Sequence, residues 1–397
     1  MKIRQKSESE FIIVMASLMS LVAFAIDALL PAITDISKTI HIVDPKDNQL
    51  FITMIFLGLG FGQLISGPLS DSFGRKPVIY IGFIVFALAS LICVFADSLE
   101  MMIFGRLLQG MGLSAPRTIS IAMVRDRFSG NYMAKVMSFI VVIFILVPVI
   151  APAVGKLVLD LYGWKSIFYG QLIIGFFIML WVWKRQPETL KIEDRKKFKI
   201  SLFVEGAKEF FKYKYAVIFT VFSGLITGSF MVYLSASQRI FEEQYHLKEE
   251  FPYIFAGLAI SIGLATFLNG KLVVRFGMFK LVSIFTVLFT LVPLIYLFLF
   301  SGASNPSIYV IIAFFAIQFF SIGFLFGNTR ALAMESIGHI AGVGAAINGF
   351  VSTIMAVPIA TYIGSFINQT ALPLFIGFFV CGTISLLLII LLKLRKN

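Results

Sequence analysis

Charge is scarce in this chain: of its 397 residues, only 14% are Asp, Glu, Lys or Arg, against about 25% in a soluble globular domain. It has two cysteines, Cys93 and Cys381, and three histidines, His41, His246 and His339. None of them has metal-ligand or nucleophile–base spacing, which argues against a disulfide framework, a metal site and a membrane-embedded enzyme. No nucleotide-binding loop occurs either, so ATP is not the expected energy source.

What the chain has instead is apolar sequence of membrane-spanning length. Hydrophobic residues make up 59% of it, and runs of about 20 residues, the length that crosses the hydrocarbon core as a helix, recur from end to end. The sequence therefore predicts an all-α membrane protein with twelve transmembrane helices. The predicted spans are 11–34, 49–71, 77–96, 100–124, 134–158, 166–184, 213–238, 251–273, 279–300, 307–334, 340–366 and 371–393.

The net charge of +12 is explained by the membrane rather than by nucleic acid. If the N-terminus is cytoplasmic, most of the 33 Lys and Arg residues fall on the cytoplasmic side of the predicted spans, as the positive-inside rule requires. Both termini are therefore predicted to be cytoplasmic. A basic N-terminus followed by Ala23-Phe24-Ala25 also allows a cleaved signal peptide, but the run continues through Asp27 and Pro31, which favours a retained span.

The spans divide six and six around the only long hydrophilic stretch. We predict an N-terminal six-helix bundle over residues 1–184, a cytoplasmic linker over 185–212 and a C-terminal six-helix bundle over 213–397. In the linker, phenylalanines alternate with Lys and Glu at near-helical spacing, which fits a helix on the membrane surface and equally a solvated segment. A short repeat indicates two pseudo-symmetric halves, because residues 270–277 align with residues 67–74.

Residues 67–77 are a polar segment between two spans, Gly-Pro-Leu-Ser-Asp-Ser-Phe-Gly-Arg-Lys-Pro. Gly67 is expected to permit a close approach of two helices, and Gly74 a tight turn between them. Asp71 can cap or pair with a neighbouring element, and Arg75 belongs on the membrane side that collects positive charge.

This segment resembles the signature loop of the major facilitator superfamily, with Ser72 where an Arg is usual. The resemblance implies two parallel six-helix halves with a binding cavity between them. It also implies a conformational latch at the cytoplasmic ends of three helices. In that latch Asp71, Arg75 and Asp126, at the end of the fourth span, come together when the transporter faces outward, and Gly67 and Gly74 belong to the same latch. Ordinary interfacial charge is the alternative.

Ionisable residues inside a span are costly and are functional candidates by default. Asp27 is the only carboxylate deep inside a span, and it shares a polar stripe of the first helix with Ser20 and Phe24. Arg106 lies at a similar depth in the fourth span. We interpret Asp27 as a proton site tuned by Arg106, because water access and a nearby cation both change how readily a carboxyl group takes up a proton. A static buried ion pair that only fixes helix packing is the alternative.

Two further motifs resemble those of the superfamily. Residues 106–110, Arg-Leu-Leu-Gln-Gly, are similar to a fourth-helix motif that is linked there to proton coupling. Residues 148–155, with Pro148, Pro152 and Gly155, partly match the antiporter motif of the fifth helix. The prolines are equally compatible with a plain kink.

Mixed neutral polar and apolar side chains are expected to line the substrate cavity, since such a lining suits bulky, partly hydrophobic substrates. Each polar candidate is also able to serve as an interhelical hydrogen bond. The candidates are Ser20, Phe24, Gln109, Arg117, Thr227, Met231, Asn348, Ser352 and Met355.

With residues 25–32 of the first helix and 341–350 of the eleventh, these motifs make the chain similar to drug:proton antiporters of the bicyclomycin-resistance (Bcr/CflA) type. The resemblance implies export of small drugs against proton entry, across a bacterial inner membrane, by a monomer. The proton gradient supplies the energy and no cofactor or metal is expected. Proton-coupled transport of a metabolite, sugar or siderophore stays open as an alternative.

Overall fold

A computed structural model describes residues 8–128, 130–195, 200–302, 304–337 and 341–394, and this part of the chain contains helices and no strands. It divides into two units, Met1–Lys199 and Ile200–Asn397. The first unit contains α1 (Glu8–Asp27), α2 (Ile33–Thr39), α3 (Leu50–Phe73), α4 (Arg75–Val94), α5 (Leu99–Arg127), α6 (Gly130–Tyr162) and α7 (Lys165–Arg185). The second contains α8 (Ile200–Phe210), α9 (Lys214–Gln238), α10 (Phe251–Phe276), α11 (Met278–Phe300), α12 (Ile308–Glu335), α13 (Ala341–Gly364) and α14 (Leu372–Leu394).

These helices confirm the predicted all-α membrane fold. Within the part of the chain described, ten helical segments are long and apolar enough to cross a membrane. The predicted spans 100–124 and 134–158 fall in α5 and α6, which have 29 and 33 residues and are long enough to cross a hydrocarbon core of about 30 Å. Each of the twelve predicted spans thus has its helix, the first one shared between α1 and α2.

The first predicted span, 11–34, is interrupted rather than continuous. α1 ends at Asp27, and a short 3-10 turn over Leu30–Ala32 leads into α2. Pro31 explains the break, because it has no N–H to donate to the carbonyl of Asp27, four residues earlier. The N–H of Leu29 donates to the carbonyl of Ile26, which leaves the carbonyl of Ala25 available to side chains.

The predicted linker, 185–212, is divided between the two units, and its beginning belongs to the first and its end to the second. Residues 186–195 follow α7 in the first unit, whereas α8 packs on α13 in the second. Phe210, at the end of α8, is buried with Ala216 and Ile347. The second unit therefore begins with α8, before the boundary at 213 that hydropathy suggested, because Phe210 anchors this amphipathic helix to the core.

The internal repeat is visible in the use of two buried glutamines. Gln109 on α5 donates to the hydroxyl of Ser90 on α4 at 2.8 Å. At the equivalent place in the second unit, Gln318 on α12 donates to the carbonyl of Phe289 on α11 at 3.1 Å. Pro293, four residues after Phe289, cannot donate the helical N–H, so the glutamine satisfies a carbonyl that the proline leaves unpaired.

Candidate functional site

Arg106 is fully buried on α5, and its guanidinium binds neutral oxygens. Its Nε donates to the carbonyl of Phe51 on α3 at 2.8 Å. Its Nη1 donates to the carbonyl of Ala25 on α1 at 3.2 Å and to Oε1 of Gln109 at 2.8 Å. The Nη2 atom has no hydrogen-bond partner among the described residues. The carbonyl of Ala25, which the break in α1 leaves available, thus accepts a hydrogen bond from Arg106, and the Nη2 of Arg106 keeps an unused donor.

Asp27 is the last residue of α1 and is only 5% exposed. Among the described residues its carboxylate makes no hydrogen bond and no ion pair. Arg106 holds the backbone two residues earlier rather than the carboxylate, so the structure shows no static pair between Asp27 and Arg106. A buried, unpaired carboxylate costs free energy. A residue that is kept in a membrane span despite this cost is usually functional. The role of Asp27 as a proton site stays a prediction.

Gly155 of α6 lies against the same break. A Cβ atom at this position would be 2.0 Å from the carbonyl oxygen of Ala28 and 2.8 Å from its carbonyl carbon, so no larger residue fits without a shift of one helix. Pro148 and Pro152 both lie inside α6. The fifth-span motif therefore contacts the residue that follows Asp27, which its sequence pattern did not reveal.

Residues 67–77 are helical on both sides of a single turn residue, not a loop as predicted. α3 runs to Phe73 and α4 begins at Arg75. Gly74 between them has a φ of +103°, which confirms the predicted tight turn, since a side chain there would be strained.

The predicted close approach at Gly67 is wrong. Apart from its own stretch of helix, no atom of the described residues lies within 4 Å of the place where a Cβ on Gly67 would be. α3 approaches α5 earlier along its length: a Cβ on Gly58 would be 2.0 Å from the carbonyl oxygen of Leu107. The prediction rested on the polar motif that contains Gly67, whereas the close approach is made by Gly58, in the apolar part of the helix.

Arg75 joins the ends of α3, α4 and α5. Its Nη1 pairs with Oδ1 of Asp71 at 2.5 Å, and its Nε and Nη2 donate to the two carboxylate oxygens of Asp126 at 2.9 and 3.1 Å. Arg75 is 3% exposed, and a buried two-pronged arginine–carboxylate pair is stronger than a surface ion pair. The structure thus brings together Asp71, Arg75 and Asp126, and their action as a latch stays a prediction.

Two residues after α7 complete this cluster, and neither was predicted from the sequence. The carboxylate of Glu188 accepts the backbone N–H groups of Arg75 and Lys76, each at 3.0 Å, at the first turn of α4. The hydroxyl of Thr189 donates to Oδ2 of Asp126 at 2.8 Å. A carboxylate at a helix N-terminus satisfies amides that have no acceptor within the helix. The one available signal was an acid after Pro187 in a basic segment.

Several predicted cavity residues take part in helix packing. Asn348 on α13 donates to the hydroxyl of Thr220 on α9 at 2.8 Å, and Ser352 donates to the Thr220 carbonyl at 3.4 Å. Met231 and Gln109 are buried as well. Buried amides and hydroxyls need such partners, so these contacts explain the polar residues without a ligand. The other predicted cavity residues are partly buried: Ser20, Phe24, Arg117, Thr227 and Met355.

A sequence profile of the Major Facilitator Superfamily matches residues 15–360. The chain belongs to the Major Facilitator Superfamily. It is therefore a multi-pass membrane transporter of small molecules and not an enzyme, and the resemblance seen in the polar segment 67–77 is confirmed.

Three similar proteins come from bacteria. The chain is 32% identical to a bicyclomycin resistance protein homolog of Haemophilus influenzae over 275 residues, 69% of each chain. It is 31% identical to the MFS-type transporter YdgK of Bacillus subtilis over 365 residues, 90% of this chain and 89% of that one. A shorter match, 35% identical over 140 residues and 35% of each chain, is to the multidrug resistance protein MdtL of Salmonella paratyphi C.

Solved structures share the fold at low sequence identity. The xylose transporter XylE from E. coli has a TM-score of 0.71 and 13% identity, over 97% of both chains. The human organic anion transporter MFSD10 has a TM-score of 0.66 and 14% identity, over 97% of this chain and 100% of that one. These similarities establish the fold alone, and they favour neither sugars nor organic anions as the substrate.

Proposed function

We propose that this transporter is a proton-coupled multidrug efflux protein, which exports small, partly hydrophobic drugs in exchange for protons. The observation that carries the proposal is Asp27, a buried carboxylate with no ion pair or hydrogen bond among the described residues. The names of the bicyclomycin and multidrug resistance relatives support drugs as the substrate class.

In this proposal Asp27, at the break in α1, responds to whether water reaches it from the outside or from the cytoplasm. A carboxylate is costly to bury without water or a cation, whereas a neutral carboxylic acid is not. In the proposed cycle, Asp27 takes up a proton from the outside, is occluded in neutral form, and loses the proton when water reaches it from the cytoplasm. Drug leaves by the opposite route, so proton entry drives its export.

The inner ends of α3, α4 and α5 supply the second part of the cycle. We assign the cluster of Asp71, Arg75 and Asp126 to the outward-facing state, in which it holds these helix ends together. The positive-inside rule places this end in the cytoplasm. The protein then lies in a bacterial inner membrane with both termini inside, and it works as a monomer.

Asp27→Asn tests the proton site. In inverted vesicles with an imposed proton gradient and a pH-sensitive dye, wild-type protein should release lumenal protons when drugs are added. Asp27→Asn should lose this release and all uphill export, because the amide cannot carry the proton. Drug-induced thermal stabilisation should persist in the variant, which shows that it folds and binds.

Asp97→Asn is the matched control, because the same chemical change is made at an exposed residue between α4 and α5. It should behave as wild type. Uphill export that survives in Asp27→Asn would overturn the proton-site assignment. A folded wild-type protein that responds to no drug would overturn drug antiport and lead to a screen of sugars, peptides and siderophores.

A further inference from the structure

We infer that the second unit binds an anionic phospholipid at the turn between α10 and α11. Three exposed cations lie there, Lys271, Arg275 and Lys280. Lys271 Nζ is 4.8 Å from the ring centre of Phe267, while Arg275 Cζ and Lys280 Nζ are 5.3 and 5.4 Å from that of Phe276. The rings hold the cations at the surface without neutralising them.

No carboxylate of the described residues pairs with these cations. Among the residues that the structure describes, none of the three cations forms an ion pair, and Glu335 at the end of α12 pairs with none of them. At the equivalent turn of the first unit, two carboxylates surround Arg75. The second unit has Val274 in place of the repeat's aspartate, so its turn keeps its positive charge available to a ligand.

Arg275 and Lys280 stand close together because the connection is minimal, and Lys271 lies one helical turn before Arg275 on α10. Gly277 is the single residue between the helices, with a φ of +78°. It reverses the chain directly from α10 into α11, which puts Arg275 and Lys280 on the same ring, that of Phe276.

Exposed apolar stripes lead from this turn along both helices. Their residues are spaced three or four apart, so each stripe occupies one helix face. The exposed residues nearest the turn include Ile260, Leu264 and Phe267 on α10, before Lys271, and Ile284, Val287 and Leu291 on α11, after Lys280.

In a membrane protein such stripes contact acyl chains, and the change from apolar to cationic marks the headgroup level. A lipid whose chains lie on these stripes therefore places its phosphate among the three cations. Both features together favour a phospholipid over free phosphate, which would use only the cations. Under the orientation inferred from charge, the lipid belongs to the inner leaflet, where anionic lipids attract basic residues.

Native mass spectrometry of the full chain in detergent tests the site, with phosphatidylglycerol and phosphatidylcholine as probes. Wild-type protein should retain phosphatidylglycerol in preference. Each juxtamembrane cation contributes about fivefold to such binding. The variant Lys271→Gln/Arg275→Gln/Lys280→Gln should therefore bind phosphatidylglycerol about a hundredfold more weakly than wild type. Its affinity for phosphatidylcholine should be unchanged.

The matched control removes the same net charge elsewhere in the unit. Lys208, Lys212 and Lys214 are exposed, and the first two lie beside Glu205 and Glu209. Lys208→Gln/Lys212→Gln/Lys214→Gln should keep the preference for phosphatidylglycerol. Equal binding of the two lipids by wild type, or equal loss in both variants, would overturn the site. Stabilisation by inorganic phosphate as strong as that by phosphatidylglycerol would show a free-anion site instead of a lipid site.

Discussion

Arg106 and Asp27 lie in the same region of the first unit, but they differ in what their removal would change. Arg106 donates to two backbone carbonyls and to Gln109, so its loss would leave buried acceptors unsatisfied. Asp27 makes no such contact with the described residues, so Asp27→Asn removes a charge and breaks no contact seen here. Substitution of Asp27 therefore tests the chemistry of the site, whereas substitution of Arg106 also tests packing.

A second residue-scale test concerns the contact between α6 and the break in α1. We expect Gly155→Ala to lower stability by about 1–3 kcal/mol, the usual cost of overpacking, and to reduce export. The added methyl group must push α6 away from the carbonyl of Ala28, 2.0 Å from the new Cβ position. Thermal unfolding in detergent and export in vesicles measure the two effects.

Gly170→Ala is the control, because it adds the same methyl group to a helix at a position where, its own stretch of helix apart, no atom of the described residues lies within 4 Å. It should be neutral or slightly stabilising, since alanine favours a helix. A Gly155→Ala protein with wild-type stability and export would show that the break in α1 does not depend on this close contact.

At the scale of the element, the segment after α7 connects helix ends that are distant in sequence. The Lys76 ammonium donates to the Gln186 carbonyl at 2.7 Å, Glu188 caps α4, and Thr189 binds Asp126. The same segment leads on to the second unit. Its contacts therefore join the end of α7 to the cluster of Asp71, Arg75 and Asp126 within the first unit.

Glu188→Ala tests the cap on α4. The amides of Arg75 and Lys76 would lose their acceptor, and loss of a cap costs about 1 kcal/mol. Hydrogen exchange of these amides, followed by mass spectrometry, should accelerate about fivefold. Glu193→Ala, at an exposed position in the same segment, should leave the exchange rate of these amides unchanged. Equal exchange in Glu188→Ala and wild type would mean that the carboxylate does not protect this turn.

At the scale of the whole molecule, the distribution of charge predicts orientation. Cys93 and Cys381 are free and buried, which gives a low background for cysteine labelling. In intact cells, a membrane-impermeant maleimide should label Asp97→Cys, between α4 and α5, because this loop is predicted to face outward. Lys191→Cys, after α7, should react only in disrupted cells. The reverse pattern would contradict cytoplasmic termini.

The twelve spans, their division into six and six and the family were all accessible from the amino-acid sequence. Hydropathy, charge asymmetry and motifs such as residues 67–77 are local, and a bilayer acts on each segment almost independently. The tight turn at Gly74 belongs to the same class, since it depends on the absence of a side chain at that residue. The break at Pro31 was not predicted, because hydropathy alone reads residues 11–34 as one continuous span.

Most partners across the fold were not accessible in this way, and the pairing of Arg75 with Asp126 was expected only from the family resemblance. Glu188 is 113 residues from Arg75 in sequence, and Ala25 is 81 residues from Arg106. Gly155 on α6 contacts Ala28, which follows α1. No local pattern specifies which carbonyl a buried arginine will find, or which glycine a neighbouring backbone will approach. Such choices follow from the packing of whole helices, so they emerge only when the chain has folded.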